Sequence, residues 1–353
     1  MENKYALLLK TGEAELRALE HLTEKKNLLP IIELTRGRRS KNDQDGAVCK
    51  RINKIGVLFK GQEIILDITG DKTLLNDELR DLFEPLEGYS KWVTFCKDIK
   101  EQYLFPAIYP TIVINPDDED FDRNLPKQAQ ALLKEFGGIS YRCDIEDEAY
   151  PDDLELLSPL LDGDDKKSIF IIDCGYIVGG DMGICKQKVL EISKHIRAVI
   201  PTAKIILIAT SYPNEITEDN GNLPLLEVEL SNQVNRESDL PIIYGDYGSI
   251  NPIRNDAVVM ARGWRPKIDV PLKDQIYYLR ERKGTNEYSA TYSSVARKIV
   301  LDRRFPKLLD DNWGISQIKS ASDGNSPGAT PSFWISVRMN IHIHQQLIRM
   351  NLF

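Results

Sequence analysis

Apolar runs in this chain repeatedly stop on ionisable or hydroxyl-bearing residues. Lys10 ends YALLLK, Glu33 falls at the end of LLPIIEL, and Asp67 at the end of EIILDI. Asn115 ends IYPTIVIN, and Arg142 and Asp144 stand two apart in GISYRCDI. Asp173 follows SIFII, Ser211 lies just past AKIILIA, and Asp246 closes LPIIYGD with Tyr247 directly after it. Burying charge without a partner is unfavourable, so these ends must pair with one another, hold an ion, or face a wet pocket. Asp67, Asp144, Asp173 and Asp246 are the candidates for general acid–base work, and Asp67 and Asp173 for ligands to a divalent cation such as Mg or Mn. Lys10, Arg36 and Arg142 are the candidates for holding phosphate charge, since a guanidinium contacts phosphate or carboxylate bidentately. Arg36 opens a cationic stretch with Arg38, Arg39 and Lys41, directly after the run that carries Glu33. Glu33, Ser211 and Tyr247 would complete the ligand contacts. Ser211 lies in ATSYPNE without a GxSxG frame, so it is not read as a nucleophile. The structural alternatives are an ion pair of Lys10 with Glu33 or Asp246, and a salt bridge between Arg142 and Asp144.

The elements that must position these residues follow from the apolar pattern. Eight strand candidates span 5–10, 28–34, 63–68, 108–115, 138–145, 168–174, 203–209 and 240–246. They are rich in Ile, Leu and Val with little alternation, the mark of parallel strands buried on both faces. Segments 14–22, 75–86, 127–136, 186–200 and 223–234 place apolar residues at three- and four-residue spacing, which predicts helices covering a sheet. Alternating strands and helices over this length predict a closed (β/α)8 barrel, whose strand C-termini share one mouth. An open doubly wound sheet would show a Gly-rich phosphate loop after its first strand; Lys10-Thr11-Gly12-Glu13 stands there instead.

After about residue 262 the pattern changes. RGWRPKIDVPL (262–272) reads as an extended connector, 286–305 as a helix, and SDGNSPGATPS (322–332) as a turn-rich loop. The expected division is a barrel over 1–262 and an α-rich basic appendage over 263–353. The formal net charge is −8, yet the chain from Pro271 onward carries a net of +5. FWISVRMNIHIHQ could return Arg338 and His342 to the barrel mouth, as a lid or phosphate clamp; Trp313, Phe333 and Trp334 could instead simply dock the appendage. His342 and His344, two apart, would suit a metal if the segment were a strand, and a buried or capping role otherwise.

Composition excludes several classes. The longest apolar run, AKIILIA, is far shorter than the roughly 20 residues of a membrane helix, and MENKYALLLKTGEAEL has no signal-peptide pattern. A soluble cytoplasmic protein without membrane partners is expected. The five cysteines form no CxxC pair, so reduced, packed thiols are expected. No HExxH, Walker A, dinucleotide or EF-hand pattern is present.

In this order along the chain, YALLLKTGEAELRAL, LLPIIEL, EIILDITG, YRCDIED, FIIDCG, YGDYG, RGWRPKID, NWG and PSFWISVRMNIHIHQQ resemble the phage-type beta protein family. The resemblance covers nearly the whole chain. It implies a barrel and a setting in phages or mobile elements, and it supplies no established reaction. The positions it matches are Lys10, Glu33, Asp67, Arg142, Asp144, Asp173 and Asp246, and in the tail Trp313, Trp334, Arg338, Asn340 and His342. Together these readings predict a phage–host conflict protein, leaning to a metal-assisted hydrolase of a phosphorylated small molecule or nucleic-acid end. The rival readings are a non-catalytic sensor and a subunit of a multi-protein antiviral complex with a partner encoded nearby.

Overall fold

The computed structural model describes residues 4–37, 39, 41, 43–161, 167–253, 263–306, 309 and 311–352. Arg38 and the acids at 162–165 lie outside these. Eight parallel strands wrap into a barrel: β1 (Tyr5–Lys10), β2 (Leu28–Leu34), β3 (Ile64–Ile68), β4 (Ile108–Pro110), β5 (Gly138–Asp144), β6 (Lys167–Tyr176), β7 (Lys204–Thr210) and, after the intervening β8 (Asn220–Pro224), β9 (Ile243–Asp246). The order is β4-β3-β2-β1-β9-β7-β6-β5. A parallel bridge between Thr111 and Ser140 brings the two edge strands together, reinforced by a 2.8 Å hydrogen bond between their hydroxyls.

Side-chain parity sorts the barrel into two cores. Ala6 and Leu8, Leu29 and Ile31, Ile65, Tyr109, Ile169 and Ile171, Ile206 and Ile208, and Ile243 form one apolar cluster that fills the interior. The alternate residues, such as Leu7, Leu9, Ile32, Leu66, Ile172 and Leu207, pack outward with the helices. Gly245 is required where β9 squeezes between β1 and β7, because a Cβ there would lie 2.6 Å from Ile208 Cγ2 and 2.9 Å from the Ala6 carbonyl oxygen.

The covering helices are α1 (Glu13–Glu20), α2 (Cys49–Leu58), α3 (Asp77–Arg80), α4 (Ser90–Tyr103), α5 (Phe121–Phe136), α6 (Tyr150–Leu161), α7 (Met182–Val199) and α8 (Leu226–Glu237). The helix predicted over 75–86 is confined to α3, which Asn76 caps by accepting the Leu79 amide, and a 3-10 turn over Asp81–Phe83. Pro85 and Gly88 follow it and stop the helix. The long helix of this unit is α4, whose Trp92, Cys96 and Ile99 face the core.

The tail contains more strand than its pattern predicts. Within the stretch read as a connector lies β10 (Lys267–Pro271), paired antiparallel with β11 (Gln275–Arg280), which pairs in turn with β8. Three helices follow, α9 (Tyr288–Leu301), α10 (Trp313–Ser322) and α11 (Pro331–Arg349). They build their own apolar cluster around Tyr292, Ile318, Trp334 and Ile341. The inner face of α11 also inserts Met339, Ile343 and Leu347 into the outer barrel core. Asn340 ties the two together, donating to the Ala18 carbonyl on α1 at 2.9 Å and accepting from Asn312 and the Gly314 amide. No described helix is long and apolar enough to cross a membrane.

Candidate functional site

The polar mouth is the top layer of the same parity that fills the interior. Lys10 continues Ala6 and Leu8, Glu33 continues Leu29 and Ile31, Asp67 continues Ile65, and Asp173 continues Ile169 and Ile171. Lys10, Glu33 and Asp67 are register neighbours across β1, β2 and β3, as are Asp144 and Asp173 across β5 and β6. A break in register on β6 between Asp173 and Tyr176 re-aims the end of that strand. Gly175 takes a positive φ of 59° there and donates its amide to Asp173 Oδ1 at 2.8 Å, a backbone state that glycine adopts without strain.

Arg142 is the hub. Its Nη1 donates to Glu33 Oε2 at 2.9 Å and to Asp67 Oδ2 at 2.8 Å, while Nε and Nη2 grip Asp173 Oδ2 at 3.0 and 2.7 Å. The Tyr247 hydroxyl donates to Asp173 at 2.6 Å. Lys10 lies 3.5 Å from Glu33 and donates to the Pro252 carbonyl at 2.7 Å. Asp67 Oδ1 accepts its neighbour's amide, that of Ile68, at 2.9 Å.

Burial and charge act differently on the two adjacent acids. For Glu33, burial pushes the pKa up, but Arg142 and Lys10 outweigh it and hold the carboxyl below its usual value. For Asp67, burial again pushes up; Arg142 offsets only part of it, the Glu33 charge adds to the rise, and the net shift is upward. The Arg142 guanidinium loses solvation by burial, yet Asp173, Glu33, Tyr247 and Asp67 raise its pKa well above normal. It stays charged throughout.

A cavity of about 350 Å³ opens above this network. The ionic network lines it together with Thr69, Asp71, Thr111 and Asp144, and with Phe83 and Ile112–Ile114, of which Ile112 and Val113 are buried in the outer core and Ile114 is exposed. Asp144 is exposed and its carboxylate accepts the Glu146 amide at 2.8 Å. Thr69 was legible in the sequence, standing two residues beyond Asp67 on the same parity. Phe83 and Asp71 come from the loop region after β3 and carried no signal.

Other predicted site residues lie elsewhere. Asp246 is the register partner of Leu7, so it shares the outward parity, while Gly245 aligns with inward-facing Ala6. Its fully buried carboxylate accepts from the Tyr244 hydroxyl at 2.6 Å, from the Tyr5 hydroxyl, and bonds His342 Nε2 at 2.8 Å. Burial pushes the Asp246 pKa up, but His342 and the two tyrosine hydroxyls hold it below the usual value. Ser211 donates to Glu227 Oε2 at 2.6 Å, between β7 and α8. Arg338 pairs with Asp269 at 3.0 Å and stacks on Tyr212. Arg338 and His342 therefore fasten α11 to the outside of the barrel instead of reaching its mouth. His342 and His344 sit on a helix, where residues two apart do not face each other. Asn115 donates to the Phe83 carbonyl, and Arg36 to the carbonyls of Thr73 and Gly37; neither lines the cavity. Arg39 and Lys41 are exposed.

Asp67 and Asp173 do not make an open donor set for Mg or Mn, because both point at the Arg142 guanidinium. Among the described residues, no group of three or more His, Cys, Asp or Glu could hold a metal ion.

A family model described as Beta protein matches residues 5–348. Protein beta of Enterobacteria phage P4 is 30% identical over 353 residues, spanning 97% of this chain and 92% of that protein. The solved structure of the Bacillus cereus spore cortex-lytic enzyme SleL is matched over 96% of this chain and 74% of its own, at 12% identity and a TM-score of 0.36, a likeness too slight to carry any chemistry across.

Proposed function

The chain belongs to the Beta protein family, and from that premise we propose that its barrel mouth is the acid–base site of a hydrolase. Asp67 carries the transferable proton, Glu33 remains ionised on Arg142, and Asp173 is gripped by the same guanidinium. One observation carries this reading. Glu33 and Asp67 are register partners, share a single guanidinium nitrogen, and have environments that push their pKa values in opposite directions. Paired carboxyls driven apart in this way divide naturally into a proton donor and an ionised partner. Asp67 would protonate a leaving group, and Glu33 or Asp173 would draw a proton from water.

A phosphorylated substrate, the class anticipated from Lys10, Arg36 and Arg142, enters only if Arg142 exchanges its carboxylates for phosphate. The biological setting proposed is phage–host conflict, supported by the family's phage member. The test is a pH–rate profile of the purified chain on chromogenic aryl phosphates, esters and glycosides, beside Asp67→Asn and Glu33→Gln. A bell-shaped profile whose alkaline limb vanishes in Asp67→Asn is expected. Wild-type turnover by Asp67→Asn on every accepted substrate rules out the assignment. Ligand binding without turnover, and phage restriction unchanged by Asp67→Asn in a plating assay, would move the protein to the sensor reading.

A further inference from the structure

We infer that the mouth accepts a ligand headed by an organic cation, an alkylammonium or alkylguanidinium group, in preference to an anion. The inference rests on reading the mouth as a ligand site and specifies what that site takes.

Charge in the cavity lining is one-sided. Even with Asp67 holding its proton, the acids Glu33, Asp71, Asp144 and Asp173 line it against Lys10 and Arg142. Both cations are already engaged, Lys10 by Glu33 and the Pro252 carbonyl, and Arg142 by three carboxylates. An incoming anion would have to break these buried pairs before it gained a contact. An incoming cation meets Asp144, which is exposed and bonded through its carboxylate to a backbone amide, while Glu33, Asp67 and Asp173 stay engaged by Arg142. The loops after β4 and β5 extend this bias along the rim, with Asp117–Asp120 and Asp144–Glu148, and such a rim draws cations towards the mouth.

An apolar surface in the lining takes the rest of the ligand. Of the apolar lining residues, Ile112 and Val113 are buried in the outer core, and the apolar surface is that of half-buried Phe83 and of Ile114, which is 38% exposed. An aliphatic stem lies against such a surface while its charged head reaches the acids. A free polyamine-like amine and a Lys or Arg side chain of a polypeptide share this chemistry.

The experiment is titration calorimetry on the full chain with agmatine, spermidine and acetyl-Gly-Arg-Gly-amide, and with AMP and glycerol phosphate as anionic probes. Wild type, Asp144→Asn and Asp67→Asn run together. The cations bind, the anions do not, and Asp144→Asn weakens the cations about tenfold, the loss of one charged contact. Raising the salt concentration weakens them further. Tighter binding of the peptide than of agmatine assigns the cation to a polypeptide side chain; the reverse assigns it to a free amine. Binding of AMP or glycerol phosphate without the cations, abolished by Asp67→Asn, overturns the ligand class and leaves the acid–base site standing. Binding of cations unaffected by either substitution places them outside the mouth and overturns the inference. No binding by any probe, together with no turnover, removes the site reading itself.

Discussion

Replacing Arg142 by Met should expose the energetics of the mouth. The side chains involved are 20% exposed for Arg142, 4% for Glu33 and 9% for both Asp67 and Asp173. Methionine keeps much of the volume and removes the charge, leaving three nearly buried carboxylates facing one another. Removing one partner of a buried ion pair typically costs about 3–5 kcal/mol, because the other is left uncompensated. For a chain of 353 residues, that is about 4–7 °C in melting temperature. The pH dependence has a definite sign. Without the guanidinium, burial goes unopposed by Arg142 at Glu33 and Asp67, and their folded-state pKa values rise above the unfolded ones. Groups raised in this way contribute stability that is full at low pH and lost as pH rises through the folded pKa. In the wild type Glu33 is held low, so its contribution is present above an unfolded value of about 4.3 and is lost as pH falls through the folded one. The two stability curves therefore converge on acidification and stand furthest apart near neutrality. Asp67→Asn should behave otherwise, changing stability by about 1 kcal/mol or less, since burial and Glu33 already oppose its charge. Urea unfolding across pH 4–8 reads all three proteins. A deficit in Arg142→Met that is below about 1 kcal/mol at pH 7, or that does not shrink towards acid, would refute the account of Arg142 as the essential counter-ion.

Two further outcomes test the outer wall and the tail. Glu227 is raised to about 7 by burial and by the Asp246 charge; its stabilising contribution is full below the unfolded value and lost as pH rises through about 7. Glu227→Gln should therefore gain stability relative to wild type between mildly acid and alkaline pH, read by melting temperature as a function of pH, and a constant offset would contradict it. Gly314 sits where α10 meets α11, and a Cβ there would lie 2.6 Å from Ile341 Cγ1 and 2.7 Å from the Val337 carbonyl oxygen. Gly314→Ala should destabilise by about 1–3 kcal/mol through overpacking, and unchanged urea unfolding would show that the two helices separate freely.

Local pattern was enough to place much of the mouth. Runs such as YALLLK, LLPIIEL and IFIID specify buried parallel strands by composition, and period-two parity puts Lys10, Glu33 and Asp173 in line with interior Leu8, Ile31 and Ile171. The sequence was silent about parity in β9, a four-residue strand reading IYGD. Apolar Ile243 faces in and apolar Tyr244 faces out, so nothing local told Asp246 from an inward acid. The tail histidines were ambiguous for a related reason, since spacing by two has meaning only once strand or helix is known. What joins Arg142 to Glu33, 109 residues away, and to Asp67, 75 residues away, is closure of the sheet at Thr111 and Ser140. Residue type and parity determined which groups lose water at the strand ends. Only the closed barrel decided that one guanidinium would meet three carboxylates, because partners so distant in the chain are chosen by geometry in three dimensions and leave no mark on the segments themselves.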